Sequence, residues 1–220
     1  MTDFNKIKEG LTHERLRKYA YDPKTNTTYK DEEMFKRYHF NMELSGELNK
    51  AIHILEVVLR NSIVNEWNIF LNDTQWPLSK NRIPVSKKYL DILDDISKAK
   101  KRLRGNSSND DLVAALTLGF WKKILSSKFD VQNKMIVKKI FPNKDNWRSD
   151  VLIDLSELHT NIEIVWKLRN RIAHHEPIFH RRTLHAEFNL ITEMIFLINN
   201  ESIYLLKENQ FKNLLIKGWG

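Results

Sequence analysis

The sequence predicts an all-α fold, and three observations point to this class. Only 6 Gly and 5 Pro are spread over the 220 residues. Apolar residues recur at the three- and four-residue spacing of amphipathic helices, and strict two-residue alternation over the length of a strand is hard to find. We therefore expect a single domain over residues 1–220, folded as a helical bundle of roughly six to eight helices.

The strongest helical pattern lies in a long N-terminal helical region, which we place at about residues 31–72. The tryptophan and proline at positions 76 and 77 end this region. Its apolar side chains follow the helical period, and they are Leu44, Leu48, Ala51, Ile52, Leu55, Val58, Leu59, Ile63 and Trp67.

Turn and capping residues divide the rest of the chain into further helices. Pro84 and Ser86 open one that ends near Leu103, and Ser108 or Asn109 caps the next. That capped helix has Asp110 and Asp111 in its first turn and carries Phe120 and Trp121. Other helices are expected at about 135–140, which stops before Pro142, at 184–198 and at 205–215.

A motif region at about residues 150–180 contains the longest apolar stripe. The stripe begins after Asp150, is limited by Pro177, and consists of Val151, Leu155, Leu158, Ile162, Val165, Arg169 and Ile172. Arg169 therefore falls on the apolar face of the helix. A guanidinium there must form an ion pair or face a cavity or a partner chain, because desolvation of a lone charge costs several kcal/mol.

Composition limits the class of protein. The chain has no cysteine, which excludes disulfides, thiolate nucleophiles and Cys-based zinc sites, and which favours a cytoplasmic location. No apolar run approaches the roughly 20 residues of a membrane span, and residues 1–10 are polar, so we expect neither secretion nor membrane insertion. The 36 Lys and Arg against 28 Asp and Glu give a net charge of +8, which favours polyanionic partners.

The residues after Arg169 have the chemistry of RNA cleavage. Asn170 and His174 share a helical face, whereas Arg169 and His174 differ by about 140° around the axis. Either Arg169 reaches around the helix, or the helix opens near its end, for which Pro177 supplies a reason. An imidazole can exchange a proton with the 2′-hydroxyl, a guanidinium can bind the phosphate, and an amide can orient either. This chemistry requires no cofactor and no metal.

Three blocks of the sequence resemble a known family. Arg169, Asn170 and His174 match the R-[N/D/H]-x3-H core of the HEPN superfamily. The stretch 166–179, together with 55–61 (LEVVLRN) and 118–121 (LGFW), closely resembles the Abi-like proteins, the branch related to the AbiD and AbiF phage-resistance proteins. The resemblance covers about residues 11–196.

The resemblance implies a HEPN-type helical bundle with additional helices, acting in anti-phage abortive infection or as a toxin. It implies a metal-independent endoribonuclease in which Arg169, Asn170 and His174 are catalytic, and a homodimer with a composite site. RNA is the expected substrate, and an RNA or protein antitoxin is an expected class of partner. The alternative is a non-catalytic RNA-binding or protein-interaction module. Glu176 occupies the position of the tyrosine that receives the modification in the nucleotidyltransferase-paired subgroup, so that regulatory route lacks its acceptor.

Neighbouring residues have weaker signals. We expect His175, Glu56 and Arg60 to support the site, with the last two first read as structural. A zinc site is disfavoured because Phe179 stands where the H-E-x-x-H pattern needs its second histidine. A second catalytic centre at Arg60 and Asn61 is disfavoured because no histidine follows them. The expected phosphate-contacting residues are Arg171, Lys98, Lys100, Lys101, Arg102 and Arg104.

Overall fold

The computed structural model describes residues 3–103, 105, 107–206 and 208–219, and within them the fold is all-α as predicted. The α-helices are α1 (Phe4–Leu11), α2 (His13–Ala20), α3 (Asp31–Leu71), α4 (Leu90–Leu103), α5 (Asn109–Ala115), α6 (Leu118–Ile124), α7 (Asp130–Ile140), α8 (Val151–Ala173), α9 (Leu184–Ile198) and α10 (Glu208–Lys217). Short 3-10 turns lie at Lys87–Tyr89, Ser127–Phe129 and Asn200–Leu205. Strands β1 (Tyr21–Asp22) and β2 (Thr27–Thr28) form a small antiparallel hairpin.

Helix α3 is the centre of the bundle. It packs against α2, α6, α7, α8, α9 and α10, and it occupies the stretch where the apolar pattern predicts a long helical region. Of the nine apolar residues in that pattern, all except the half-buried Val58 are fully buried. Burial of each large aliphatic side chain contributes about 1.5–3 kcal/mol, so this stripe holds the other helices in place. Asn72, in the left-handed conformation with φ of 50°, ends the helix.

Helix termini follow the local capping chemistry. Ser108 and Asp111 form a capping box at the start of α5, and α9 has the predicted bounds. The side chain of Asp150 accepts a hydrogen bond from the Leu152 amide at the start of α8. Asp154, which is buried, accepts the Arg148 amide and pairs with Lys144, and this anchors the first turn of the helix.

Two parts of the fold differ from the sequence prediction. Ten α-helices lie within the described residues, more than the six to eight expected, and the hairpin was not predicted. Helices α1 and α2 have eight residues each, and α1 buries no side chain, so their apolar pattern is too short to stand out. No helix of the described part of the chain is both long enough and apolar enough to cross a bilayer.

Candidate active site

Helix α8 ends in a Schellman motif formed by the motif residues themselves. The His175 amide donates to the Ile172 carbonyl at 2.9 Å, and the Glu176 amide donates to the Arg171 carbonyl at 2.8 Å. His175 has φ of 54°, the left-handed conformation that this motif requires and that glycine usually supplies. The backbone groups at the helix end are thereby satisfied just before Pro177, which cannot continue the helix.

The helix stays closed through His174. The His174 amide donates to the Asn170 carbonyl at 2.9 Å, so the expected opening near Pro177 occurs only after this residue. Asn170 and His174 are therefore one turn apart, as predicted. The His174 side chain is exposed and has no hydrogen bond or ion pair within the described part of the chain. Its imidazole is accessible to a ligand from solvent.

Arg169 lies on the core-facing side of α8 but does not enter the core. Leu168 and Ile172 occupy the buried positions beside it, and Arg169 is half-buried. Within the described residues no carboxylate lies within ion-pair distance of its guanidinium. The interpretation of Arg169 as a member of a buried ion pair is therefore not supported, and its charge is available to an anion.

Side chains from α2 and α3 hold the segment that follows the motif. The buried Asn41 Oδ1 accepts the Ile178 and Phe179 amides at 2.6 and 3.2 Å. Arg15 Nη1 donates to the His175 carbonyl at 3.1 Å, and the ring of Tyr19 stacks on Phe179. Burial raises the pKa of Tyr19 to about 12, so its hydroxyl stays protonated.

Sequence analysis missed Asn41, Arg15 and Tyr19. Their partners lie more than a hundred residues away along the chain, and no local pattern marks such a contact.

The three family-like blocks are in direct contact. Glu56 Oε1 accepts the Leu118 amide at the start of α6 at 2.8 Å, which joins the first block to the second. Gly119 lies against Trp166, where an added Cβ would come 3.0 Å from the indole nitrogen, and this contact joins the second block to the third. Lys122 pairs with Glu163 and lies 4.0 Å from the centre of the Trp166 ring. The blocks therefore form one packed unit behind the motif.

The residues expected to support the site make contacts that stabilise the fold. Glu56 accepts a hydrogen bond from the first residue of α6 and does not pair with Arg60. The buried Nε of Arg60 has no hydrogen-bond partner in the described residues. The His175 ring is exposed at the helix end. Arg171 pairs with Glu176 at 3.1 Å and donates to the Pro177 carbonyl at 3.4 Å, so it contributes to the helix terminus.

The predicted basic run is partly occupied by local contacts. Lys98 pairs with Asp94 at 2.6 Å, Lys100 donates to the Leu78 carbonyl, and Arg102 donates to the Lys98 carbonyl. Lys101 is exposed, and Arg104 lies outside the described residues. The run lies at the end of α4, which packs against α5 and α6.

A groove with a mixed polar and apolar lining adjoins the end of α8. It has a volume of about 380 Å³ and runs between α3 and the Schellman motif, with Ser45, Asn49, Ala173 and His175 among its lining residues. No group of three or more His, Asp or Glu side chains suited to a metal ion lies in the part of the chain that the structure describes.

Comparison with known proteins gives one match. The model of a family described as Abi-like protein matches residues 11–180, well over half of the chain. That range contains all three blocks and every residue of the motif. A search of curated proteins and a search of solved structures found no significant match.

Proposed function

The chain belongs to the Abi-like protein family, which points to abortive infection as a defence against phage, and from this premise we propose that it is a HEPN-type, metal-independent endoribonuclease. The proposed substrate is RNA in the bacterial cytoplasm. Arg169, Asn170 and His174 are the proposed catalytic residues. The single observation that carries the proposal is that the motif imidazole and guanidinium are both without a protein partner in the described residues, at one exposed helix end.

The proposed reaction is transesterification within the RNA strand. A histidine takes the proton of the 2′-hydroxyl, the 2′-oxygen bonds to phosphorus, and the bond from phosphorus to the 5′-oxygen breaks as that oxygen receives a proton. The products are a 2′,3′-cyclic phosphate and a 5′-hydroxyl, so atoms and charge balance without added water. Arg169 would neutralise the charge that develops on the phosphoryl oxygens, and Asn170 would orient the phosphate.

The motif is accessible and lies on a fixed helix end. An open groove begins beside Ala173 and His175, one residue from His174 on either side. Because α8 is fixed by its Schellman motif and by the Asn41 contacts, the histidine sits on a rigid support. Rigid placement of catalytic groups lowers the entropic cost of reaching the transition state.

The test is cleavage of total bacterial RNA by the purified chain in EDTA. We expect cleavage that chelation does not reduce, and fragments that end in 2′,3′-cyclic phosphates. His174→Ala and Arg169→Ala should each lower the rate by roughly 100-fold or more while the thermal melting curve stays close to that of the wild type. Lys134→Glu, an exposed change on α7, is the control and should cleave normally.

Two results would overturn the proposal. Cleavage lost in EDTA and restored by Mg²⁺ would assign the chemistry to a metal-bound water. RNA binding without cleavage by the folded wild type would indicate the non-catalytic RNA-binding module.

A further inference from the structure

A second cavity, of about 650 Å³, lies on the far side of the segment that follows the motif. Five parts of the molecule form it: the end of α2, the β1–β2 hairpin, Arg37 of α3, residues 179–182, and Trp219. Its volume is in the range of about 300–1,000 Å³ that is typical of small-molecule sites. None of the residues proposed to be catalytic lines it.

The cavity is strongly cationic. Asp22 is the one acidic residue of its lining, and its carboxylate accepts the Lys24 amide at 2.9 Å. Two of the cations have acidic partners outside the cavity, Arg181 with Glu187 and Arg17 with Glu14. The other four have no ion pair within the described residues. The six cations are Arg17, Lys18, Lys24, Arg37, Arg181 and Arg182.

Arg37 has the least compensated charge. It is 3% exposed, it lines the cavity, and no carboxylate pairs with it in the described part of the chain. One hydrogen bond, from Nη1 to the Tyr19 carbonyl at 3.0 Å, uses one of its five N–H donors, and its buried Nε has no partner there. Burial of a guanidinium costs several kcal/mol unless an anion or a full set of acceptors offsets it.

Aromatic rings surround this guanidinium without neutralising it. Its carbon lies 3.9 Å from the centre of the Tyr29 ring, 5.0 Å from that of Phe179 and 5.5 Å from that of Trp219. Cation–π contacts offset part of the desolvation cost but leave the N–H donors free. The cavity therefore combines an anion-binding centre with flat apolar walls.

The cations around the cavity also lower the pKa of His180, which lines its wall. Desolvation is the largest cause of its lowered pKa, followed by the charges of Arg171, Arg181, Lys24 and Lys18. Asp22 also lines this cavity and does not cancel the effect. The local potential is positive, which favours an anionic ligand.

We propose that this cavity is a nucleotide-binding site, in which Arg37 and Arg182 bind the phosphate and Trp219 and Tyr21 contact the base. A guanidinium binds phosphate oxygens with charge-assisted, often paired hydrogen bonds, and aromatic side chains stack on any nucleobase. The ligand is a nucleoside 5′-phosphate, either free or at the 5′ end of an RNA strand. The proposal is independent of RNA cleavage, since binding needs none of the residues assigned to the chemistry.

The test is titration calorimetry of the full chain in EDTA. The probes are AMP, GMP, CMP and UMP, inorganic phosphate, and a short oligoribonucleotide with a 5′-phosphate or a 5′-hydroxyl. The His174→Ala chain is used with the oligonucleotides to prevent cleavage. We expect at least one nucleotide to bind more tightly than phosphate. Tight binding of the free nucleotide assigns the site to a small ligand, and tight binding of the 5′-phosphorylated oligonucleotide alone assigns it to an RNA end.

Variants connect binding to the cavity. We expect Arg182→Glu and Lys24→Glu, both exposed and outside the core, to weaken nucleotide binding by about tenfold or more each. Arg37→Gln should abolish binding, and melting curves show whether it folds. Lys134→Glu makes the same charge change on the exposed face of α7, away from the cavity, and should bind like the wild type.

Three results would overturn the proposal. They are no binding of any nucleotide or of the 5′-phosphorylated oligonucleotide by the folded wild type, equal affinity for inorganic phosphate and every other probe, and equal binding by Arg182→Glu and Lys134→Glu.

Discussion

His175 adopts a left-handed backbone conformation at the residue that follows the motif histidine. A residue with a Cβ loses roughly 1–2 kcal/mol there relative to its preferred conformations, whereas glycine does not. The strain is tolerated because the Schellman hydrogen bonds and the Arg15 contact hold the carbonyl in place. The backbone of His175 forms this terminus and the imidazole ring takes no part in it, so substitutions can test the backbone and the side chain separately.

We predict that His175→Gly raises the free energy of unfolding by about 1 kcal/mol and leaves RNA cleavage intact. His175→Ala is the matched control, because it removes the ring but keeps the strain, and it should be no more stable than the wild type. Urea denaturation and the cleavage assay measure the two properties. Loss of cleavage in both variants, with folding retained, would instead make the His175 ring a proton-transfer group.

His180 gives a pH dependence of stability. Its pKa is lowered from the usual 6.5 by desolvation and by the surrounding cations, so the folded chain takes up this proton less readily than the unfolded chain. The contribution of His180 is therefore complete above about pH 6.5 and is lost as the pH falls towards its lowered pKa. Burial lowers the pKa of His159 as well, which acts in the same direction.

We predict that His180→Gln reduces the loss of stability between pH 6.5 and more acidic conditions without removing it, because His159 remains. Asn65→Gln, which replaces one exposed side chain of α3 by another without removing a titratable group, is the control and should leave the slope unchanged. Thermal melting at a series of pH values measures both slopes. An identical slope in the wild type and in His180→Gln would contradict the prediction.

The apolar periodicity of the sequence correctly predicted the helices whose side chains face the core. The apolar stripe of α3 and the bounds of α9 follow from side chains that face one core. The same pattern placed Arg169 on the apolar face of α8, but it could not show that Leu168 takes the buried position at the end of the helix. Which residue is buried at a helix end depends on the neighbouring helices, and the sequence does not state where these lie.

Asn41 fixes the position of one element against another. Its buried side-chain oxygen is the acceptor for the two amides that follow Pro177, and no other acceptor for them is present in the described residues. These two amides therefore depend on a single side chain of α3 for their hydrogen bonds. The same Asn41 contact therefore fixes both the segment after α8 and Phe179, which lines the cationic cavity.

We predict that Asn41→Ala lowers the free energy of unfolding by about 3 kcal/mol, because two buried amides lose their acceptor. Asn49→Ala, on the exposed side of the same helix, is the control and should change stability by less than about 0.5 kcal/mol. Urea denaturation measures both. A loss no larger than that of the control would mean that water replaces the Asn41 oxygen.

In the whole molecule, cations that are far apart in the sequence lie close together in the fold. The sequence predicted that the basic run at 98–104 contacts phosphate, but several of its cations have local partners in the fold. The cationic cavity takes its residues from positions 17, 18, 24, 37, 181 and 182, where no run stands out. Tertiary folding brings them together, so composition predicted an anionic partner but not the place where it binds.

The geometry of α8 also bears on assembly. Because the helix remains closed through His174, Arg169 and His174 of one chain project about 140° apart around its axis. Cleavage by the 2′-hydroxyl uses a base and an acid in the same step, and one chain offers one motif histidine. A twofold interface between two chains would bring the same residues together, and it would place two histidines and a guanidinium around one phosphate.

We predict that the active species is a homodimer with a composite site. A heterodimer of one wild-type and one His174→Ala chain should be roughly 100-fold or more less active than the wild type, because one of the two proton-transfer groups is missing. Differently tagged chains are co-expressed, the heterodimer is isolated, and cleavage is measured at a concentration where sedimentation shows a dimer. A heterodimer of wild-type and His175→Ala chains is the control and should be fully active. Two results would show that each chain contains a complete site: half of the wild-type activity in the His174→Ala heterodimer, or full activity of a monomer. The second proton-transfer group would then have to come from the same chain.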